Sequence, residues 1–201
     1  MDNVKISVYT AATIQLTALI EGLFDGTSMV SDSVTVELHS SSAPYSLVDQ
    51  RKMVLNSSGQ GSGLTSTIIE ASSYYLVVKH RNGLETWSAS PLSFTNGGLT
   101  YDFTTAANKA FGNNMKLKGT KWTIFSGDVN HDGVIDISDV SLVDIDNLVF
   151  ATGYIVTDVN GDNIVDLSDL LIVDVNNLNF VSKITPTLTA KPVKIKTDIA
   201  E

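Results

Sequence analysis

Residues Asp128–Asp139 (DVNHDGVIDISD) and Asp158–Asp169 (DVNGDNIVDLSD) are two copies of one twelve-residue pattern, 30 residues apart. In each copy, positions 1, 3, 5, 9 and 12 carry a side-chain oxygen: Asp128, Asn130, Asp132, Asp136 and Asp139, then Asp158, Asn160, Asp162, Asp166 and Asp169. Position 7, which offers a backbone carbonyl in such loops, is Val134 or Ile164. A hard cation takes roughly six to eight oxygens at about 2.3–2.6 Å, and alternate residues of a tightly curled loop aim that many inward. The pattern predicts two calcium ions per chain, held by these twelve residues. One Asp-x-Asn-x-Asp string alone would be an ordinary surface turn. Two copies in register, with Ser138/Ser168, Val143/Val173, Asp144/Asp174, Asn147/Asn177, Leu148/Leu178 and Phe150/Phe180 matching at the same offset, mark a duplicated structural unit. Position 6 needs a positive φ, which Gly133 supplies freely and Asn163 adopts at some cost. Ile135 and Val165 at position 8 are expected in a short strand pairing the two loops back to back.

After each loop, Val140, Val143, Ile145 and Leu148, then Leu170, Val173, Val175 and Leu178, recur at mostly helical spacing. The approach to the first loop, Lys121 to Gly127 (KWTIFSG), has no helical period and reads as extended. Loop–helix, loop–helix without an entering helix, and with Asp in place of Glu at position 12, resembles a dockerin, the paired calcium-loop module of bacterial cellulosomes. That resemblance covers residues 121–185 and implies a cohesin-like protein receptor. It departs from the family where partner choice is made. Cohesin-binding dockerins usually carry a recognition pair at positions 10 and 11 and basic residues in the following helix. Here those positions are Ile137–Ser138 and Leu167–Ser168, and the helices carry Asp144, Asp146 and Asp174.

Charge divides the chain at the same place. Residues 121–185 hold eleven Asp and no Glu against Lys121 and Lys183, a net of −9, while the remainder balances at eleven acids and eleven bases. The acidity thus belongs to the metal module and is not an acidic halo for a basic partner, and nucleic acid, itself a polyanion, is not an expected partner. Four carboxylates per loop against one divalent ion leave about −2 per site, so the metal-free module repels itself.

Residues 1–120 read as a mainly β sandwich. Strand-like alternation appears in Lys5–Thr10, Thr13–Leu19, Ser33–His39, Lys52–Asn56, Leu64–Glu70, Tyr74–His80, Glu85–Ser88, Leu99–Thr104 and Met115–Lys118, separated by Gly, Asn, Ser and Asp clusters. Eight or nine short strands suggest two packed sheets. Tyr74–Ser88 is expected to turn at Asn82–Gly83, a strong hairpin dipeptide. With the preceding TVELH strand, this stretch is weakly similar to prealbumin-like and carboxypeptidase-regulatory-like sandwiches. The fold class expected is therefore an N-terminal β-sandwich plus a small α calcium-loop module. Residues 186–201 form a tail whose Val193/Ile195 alternation suits an added strand.

Enzyme signatures are missing: no HExxH, nucleophile elbow, phosphate loop or dinucleotide fingerprint occurs. His80, Arg81 and Glu85 could meet across the hairpin, where an ion pair is the expected arrangement. No cysteine is present, which excludes disulfides and thiolate sites. No run reaches the roughly 18–20 apolar residues of a membrane span. Met1-Asp2-Asn3 lacks the basic start of a secretion signal, so the chain is read as a mature form or an excised fragment with an added Met, or else as cytosolic. Calcium at extracellular levels suits weak loops and places the protein outside the cell or on its surface. Three readings follow. The first is a calcium-folded, non-catalytic protein-assembly module, and the second a surface filament subunit that exchanges strands with copies of itself. The third makes the sandwich a carbohydrate-binding accessory of a polysaccharide-degrading enzyme, with Trp87, Trp122, Tyr74, Tyr75 and Tyr101 as candidate sugar platforms.

Overall fold

A computed structural model describes residues 9–69 and 72–186. The expectations for residues 1–8 and for the tail from 187 onward lie outside the described residues.

Two sheets face each other. One has the order β3–β2–β5–β6, with β3 at Leu47–Leu55, β2 at Asp32–Ser40, β5 at Ser73–His80 and β6 at Thr86–Trp87. Strand β7 (Leu92–Ser93) pairs with the far end of β5. The other sheet has the order β4–β1–β8: Gln60–Ile69, Tyr9–Thr17 and Gly98–Asp102. Its β1–β8 pair is parallel, and all other pairings in the two sheets are antiparallel. Period-2 alternation explains the packing, since residues i and i+2 of a strand share a face. Val34, Val36 and Leu38 of β2 meet Tyr74, Leu76 and Val78 of β5, Ile14 and Leu16 of β1, and Leu99 of β8 in one buried core. Strand β5 is covered on both faces, because Tyr75 and Val77 turn outward and pack with Trp87, Tyr45 and Phe111. A small hairpin of β9 (Lys116–Lys118) and β10 (Lys121–Thr123) leads out of the sandwich.

The chain then forms loop 1, helix α1 (Ile137–Asn147), loop 2 and helix α2 (Leu167–Leu178). Both helices start alike. Asp136 and Asp166 are N-caps that accept from the backbone N–H of Ser138 and Ser168, and Asp139 and Asp169 complete reciprocal capping boxes. The module's own core is three repeat-related pairs, Val129/Val159, Ile135/Val165 and Val143/Val173, joined by Leu84 from the sandwich.

Two expectations need correction. Ile135 and Val165 are fully buried, but the strand at position 8 does not pair loop to loop. Val134 bridges to Ser182 and Ile164 to Thr152, so each loop pairs with the segment that follows the other loop's helix, an approximate two-fold arrangement. Nor is Asn82–Gly83 the tip of a tight exposed hairpin. The β5–β6 pairing closes at Val78–Thr86, and Asn82 is fully buried. The Asn82 amide donates to the Asp158 carbonyl at 2.9 Å, so the dipeptide serves as a joint to the module.

Candidate metal centre and its joint to the sandwich

The twelve positions expected to bind calcium lie in two loops of closely similar conformation. Position 12 is the pivot. Asp139 Oδ1 accepts from the N–H of Val129 and Asn130 at 2.9 and 3.1 Å, and its Oδ2 accepts from Asp136 N–H at 3.0 Å. Asp169 repeats this with Val159, Asn160 and Asp166 at 2.7, 2.9 and 3.0 Å. Positions 3 and 5 make successive turns: Asn130 Oδ1 accepts from Asp132 N–H and Asp132 Oδ1 from Val134 N–H, as Asn160 and Asp162 do in loop 2. Position 1 also faces inward, Asp128 toward Gly133 N–H and Asp158 toward Gly161 and Asn163 N–H. Gly133 and Asn163 both have positive φ, 89° and 71°, as the turn at position 6 demands.

These carboxylates are short of positive charge. Asp128, Asp139, Asp158 and Asp169 are all buried. Burial pushes the Asp139 carboxyl above its ordinary pKa against three backbone donors, and the charge of Asp132 adds to the push. Burial raises Asp128, Asp158 and Asp169 in the same way. Asp136 and Asp166 are half-buried, and hydrogen bonds from Ser138 and Ser168 hold their carboxyls below the ordinary pKa. Among the described residues no three carboxylate or imidazole side chains close on one point at ligand distance. Instead the loop side chains hydrogen-bond one another, with the Asn130 amide donating to Asp132 Oδ2 and Ser138 Oγ and Asn160 doing the same to Asp162 and Ser168. The donor set is all oxygen, with four carboxylates in each loop, buried at positions 1 and 12 and partly or fully open to solvent elsewhere, which fits a hard divalent cation.

The joint breaks the two-fold likeness of the repeats. Loop 2 and α2 are fastened to the sandwich. Arg81 donates through Nη1 to the carbonyls of Ile155 and Asp158, and its Nη2 lies 3.6 Å from Asp158 Oδ2. The same guanidinium stacks over the Tyr154 ring at 4.6 Å and pairs with Asp32 at 3.0 Å. Burial raises the Asp32 carboxyl, but hydrogen bonds from His80, Tyr154 and Arg81 outweigh it and hold Asp32 well below the carboxylate range. On the other side, Asn176 is fully buried and its amide donates to Glu21 Oε2 at 2.7 Å and to the Ser126 carbonyl at 2.8 Å. Lys116 closes that network on Glu21 Oε1 at 2.8 Å and Asn176 Oδ1 at 2.9 Å. Gly22 is pressed so closely to loop 2 that a Cβ there would stand 2.2 Å from the Val159 carbonyl oxygen.

His80 and Arg81 therefore converge on Asp32, and Glu85 takes Lys79, Lys183 and the Trp87 indole N–H. A cleft of about 460 Å³ opens beside this cluster, between Lys52, Lys79, Glu85, Asp128, His131 and Lys183. Lys79 and Lys183 are already paired there with Glu37 and Glu85. Of the five aromatic candidates for a sugar platform, Tyr74, Tyr75 and Trp87 are buried, and Tyr101 and Trp122 are partly buried against the sandwich core.

No family model matches the chain, and no curated protein does. Among solved structures it is similar to a chain in the crystal structure of an N-terminal interface mutant of a type II Cohesin–X-Dockerin complex from Acetivibrio cellulolyticus. The two share 16% identity with a TM-score of 0.45, over 83% of this chain and 94% of that one.

Proposed function

We propose that the chain is an extracellular, non-catalytic assembly protein whose C-terminal module is folded by two calcium ions and then docks to a protein partner. Asp128, Asn130, Asp132, Val134, Asp136 and Asp139 would hold one ion, and Asp158, Asn160, Asp162, Ile164, Asp166 and Asp169 the other. The bound ions supply the positive charge that the buried carboxylates lack. The residues of the chain do the rest, since the capping boxes couple each loop's closure to the start of its helix.

The observation that carries the docking half is a pair of repeat-related apolar patches left in solvent. Ile137 and Leu167 are 66% and 70% exposed, Leu148 and Leu178 73% and 68%, and Phe150 and Phe180 65% and 88%. Large contiguous apolar surface on a soluble domain usually marks an interaction site. A groove of about 530 Å³ between the helices, floored by Val140, Leu167, Leu170 and Leu171 and edged by Asp144 and Asp174, continues it. The partner is a cohesin-like receptor or a second copy of this chain. Burial of most of the candidate aromatic platforms favours a protein partner over carbohydrate.

The test is binding to immobilised cohesins, with sedimentation of the chain alone run beside it, in calcium and in chelator. Calcium-dependent binding should survive either Ile137→Asp or Leu167→Asp, because the other patch remains, and should vanish in the double variant. Binding that ignores both calcium and the double substitution would refute the proposal.

A further inference from the structure

The repeats match in sequence but not in what braces them. Three repeat-related positions differ at the joint: His131 against Gly161, Gly127 against Thr157, and Asp146 against Asn176. The first and third of these differences favour contact between the second copy and the sandwich. Gly161 leaves room for Leu23 and Val30, whose side chains would stand 2.7 and 3.3 Å from a Cβ at that position, whereas His131 is exposed. Asn176 enters the buried Glu21–Lys116 network, whereas Asp146 is half-buried and accepts only from the Thr157 hydroxyl of its own module at 2.6 Å. Arg81 stands beside the position-1 carboxylate of loop 2. Among the described residues, no lysine or arginine pairs with a loop 1 carboxylate, and no hydrogen bond joins residues 128–147 to the sandwich.

We infer that the two calcium loops depend on calcium unequally: the sandwich, chiefly through Arg81, braces loop 2 and α2 in their folded form without the ion, while loop 1 and α1 fold only when it binds. This rests on the calcium reading above. The physical basis is that like charges held together in a loop need a counter-charge. Arg81 supplies one to loop 2 from a fixed position, anchored at Asp32 and against Tyr154. Two carbonyls of the loop 2 approach, Ile155 and Asp158, are held by the same guanidinium, so charge and backbone are braced together. Loop 1 has its backbone entry fixed through Leu84 N–H to the Phe125 carbonyl and Gly127 N–H to the Asn82 carbonyl, but among the described residues no lysine or arginine of the sandwich pairs with its carboxylates. The sandwich thus acts as an internal chaperone for one repeat and leaves the other responsive to calcium.

Hydrogen exchange of the whole chain, read by mass spectrometry in calcium and in chelator, tests this. In calcium, residues 128–147 and 158–178 should both be protected. On chelation the first segment should exchange at least about tenfold faster while the second stays within about threefold of its protected rate. Arg81→Gln should leave both segments protected in calcium and make the second open with the first in chelator. Equal opening of both segments in the unaltered chain would overturn the inference, as would a second segment that stays closed in Arg81→Gln. No response of either segment to calcium would instead remove the calcium reading beneath it.

Discussion

Replacing Asn176 by alanine should cost far more stability than replacing Asp146, although the two occupy the same place in the repeat. Asn176 is fully buried and gives Glu21 a hydrogen bond at 2.7 Å, and a bond to an ionised group contributes about 1.5–3 kcal/mol. The Ser126 carbonyl, accepting at 2.8 Å, would be left short of a partner at roughly 1–3 kcal/mol. Glu21 keeps Lys116 and the Ser126 N–H, so the losses do not add fully and the expected cost is about 3–4 kcal/mol. Asp146 is half-buried with one hydroxyl donor, and its loss should cost about 1 kcal/mol because water replaces the contact. Urea unfolding of the calcium-loaded variants measures both, with the midpoint falling and the slope unchanged. Equal costs for the two variants, or a cost under about 1 kcal/mol for Asn176→Ala, would refute the argument that the sandwich holds the second repeat through this network.

Other outcomes follow from the same geometry. Asp139→Ala should remove one calcium from the calorimetric stoichiometry and leave the loop 2 ion, and Asp169→Ala should do the converse. The Asp32 carboxyl is held below its ordinary value of 3.8, so its ion pairs stabilise the fold fully above that value and the contribution is lost as pH falls through the lowered one. The thermal midpoint of Asp32→Asn should therefore start lower than the parent at neutral pH and fall less steeply below about pH 4. Exposed Ile137→Asp and Leu167→Asp should each change unfolding free energy by no more than about 0.5 kcal/mol, which separates their effect on docking from any effect on folding.

The duplicated loops were legible because the same oxygen-bearing residue types recur at the same spacing 30 residues apart, and that spacing survives in the linear text. Helices at Ile137–Asn147 and Leu167–Leu178 follow from the capping aspartates and the apolar period. The period did not reveal which face is buried, since Val143 and Val173 point inward while Leu148 and Leu178 lie in solvent. Both sets are apolar, and hydrophobicity alone does not tell a core from an interface. In the sandwich, alternation located β2 and β5, where Val34, Val36, Leu38, Leu76 and Val78 share one core. The joint was hidden for another reason. Arg81, Asn82, Glu21 and Asn176 are separated by up to 155 residues, and each is an ordinary surface residue type until the fold buries it, fully or, for Arg81, in part. The one visible trace was the departure of the repeats from each other at Asp146/Asn176 and His131/Gly161, which only a structure turns into a statement about contact.

The most direct test of the account is a calorimetric calcium titration of the whole chain, stripped of metal beforehand, with thermal unfolding recorded at both ends. The account requires two calcium ions per chain and a rise in the melting temperature of the C-terminal module. It also requires one ion fewer for each loop whose position-1 aspartate, Asp128 or Asp158, is replaced by alanine. A chain that takes up no calcium, or whose unfolding is the same in calcium and in chelator, would contradict it.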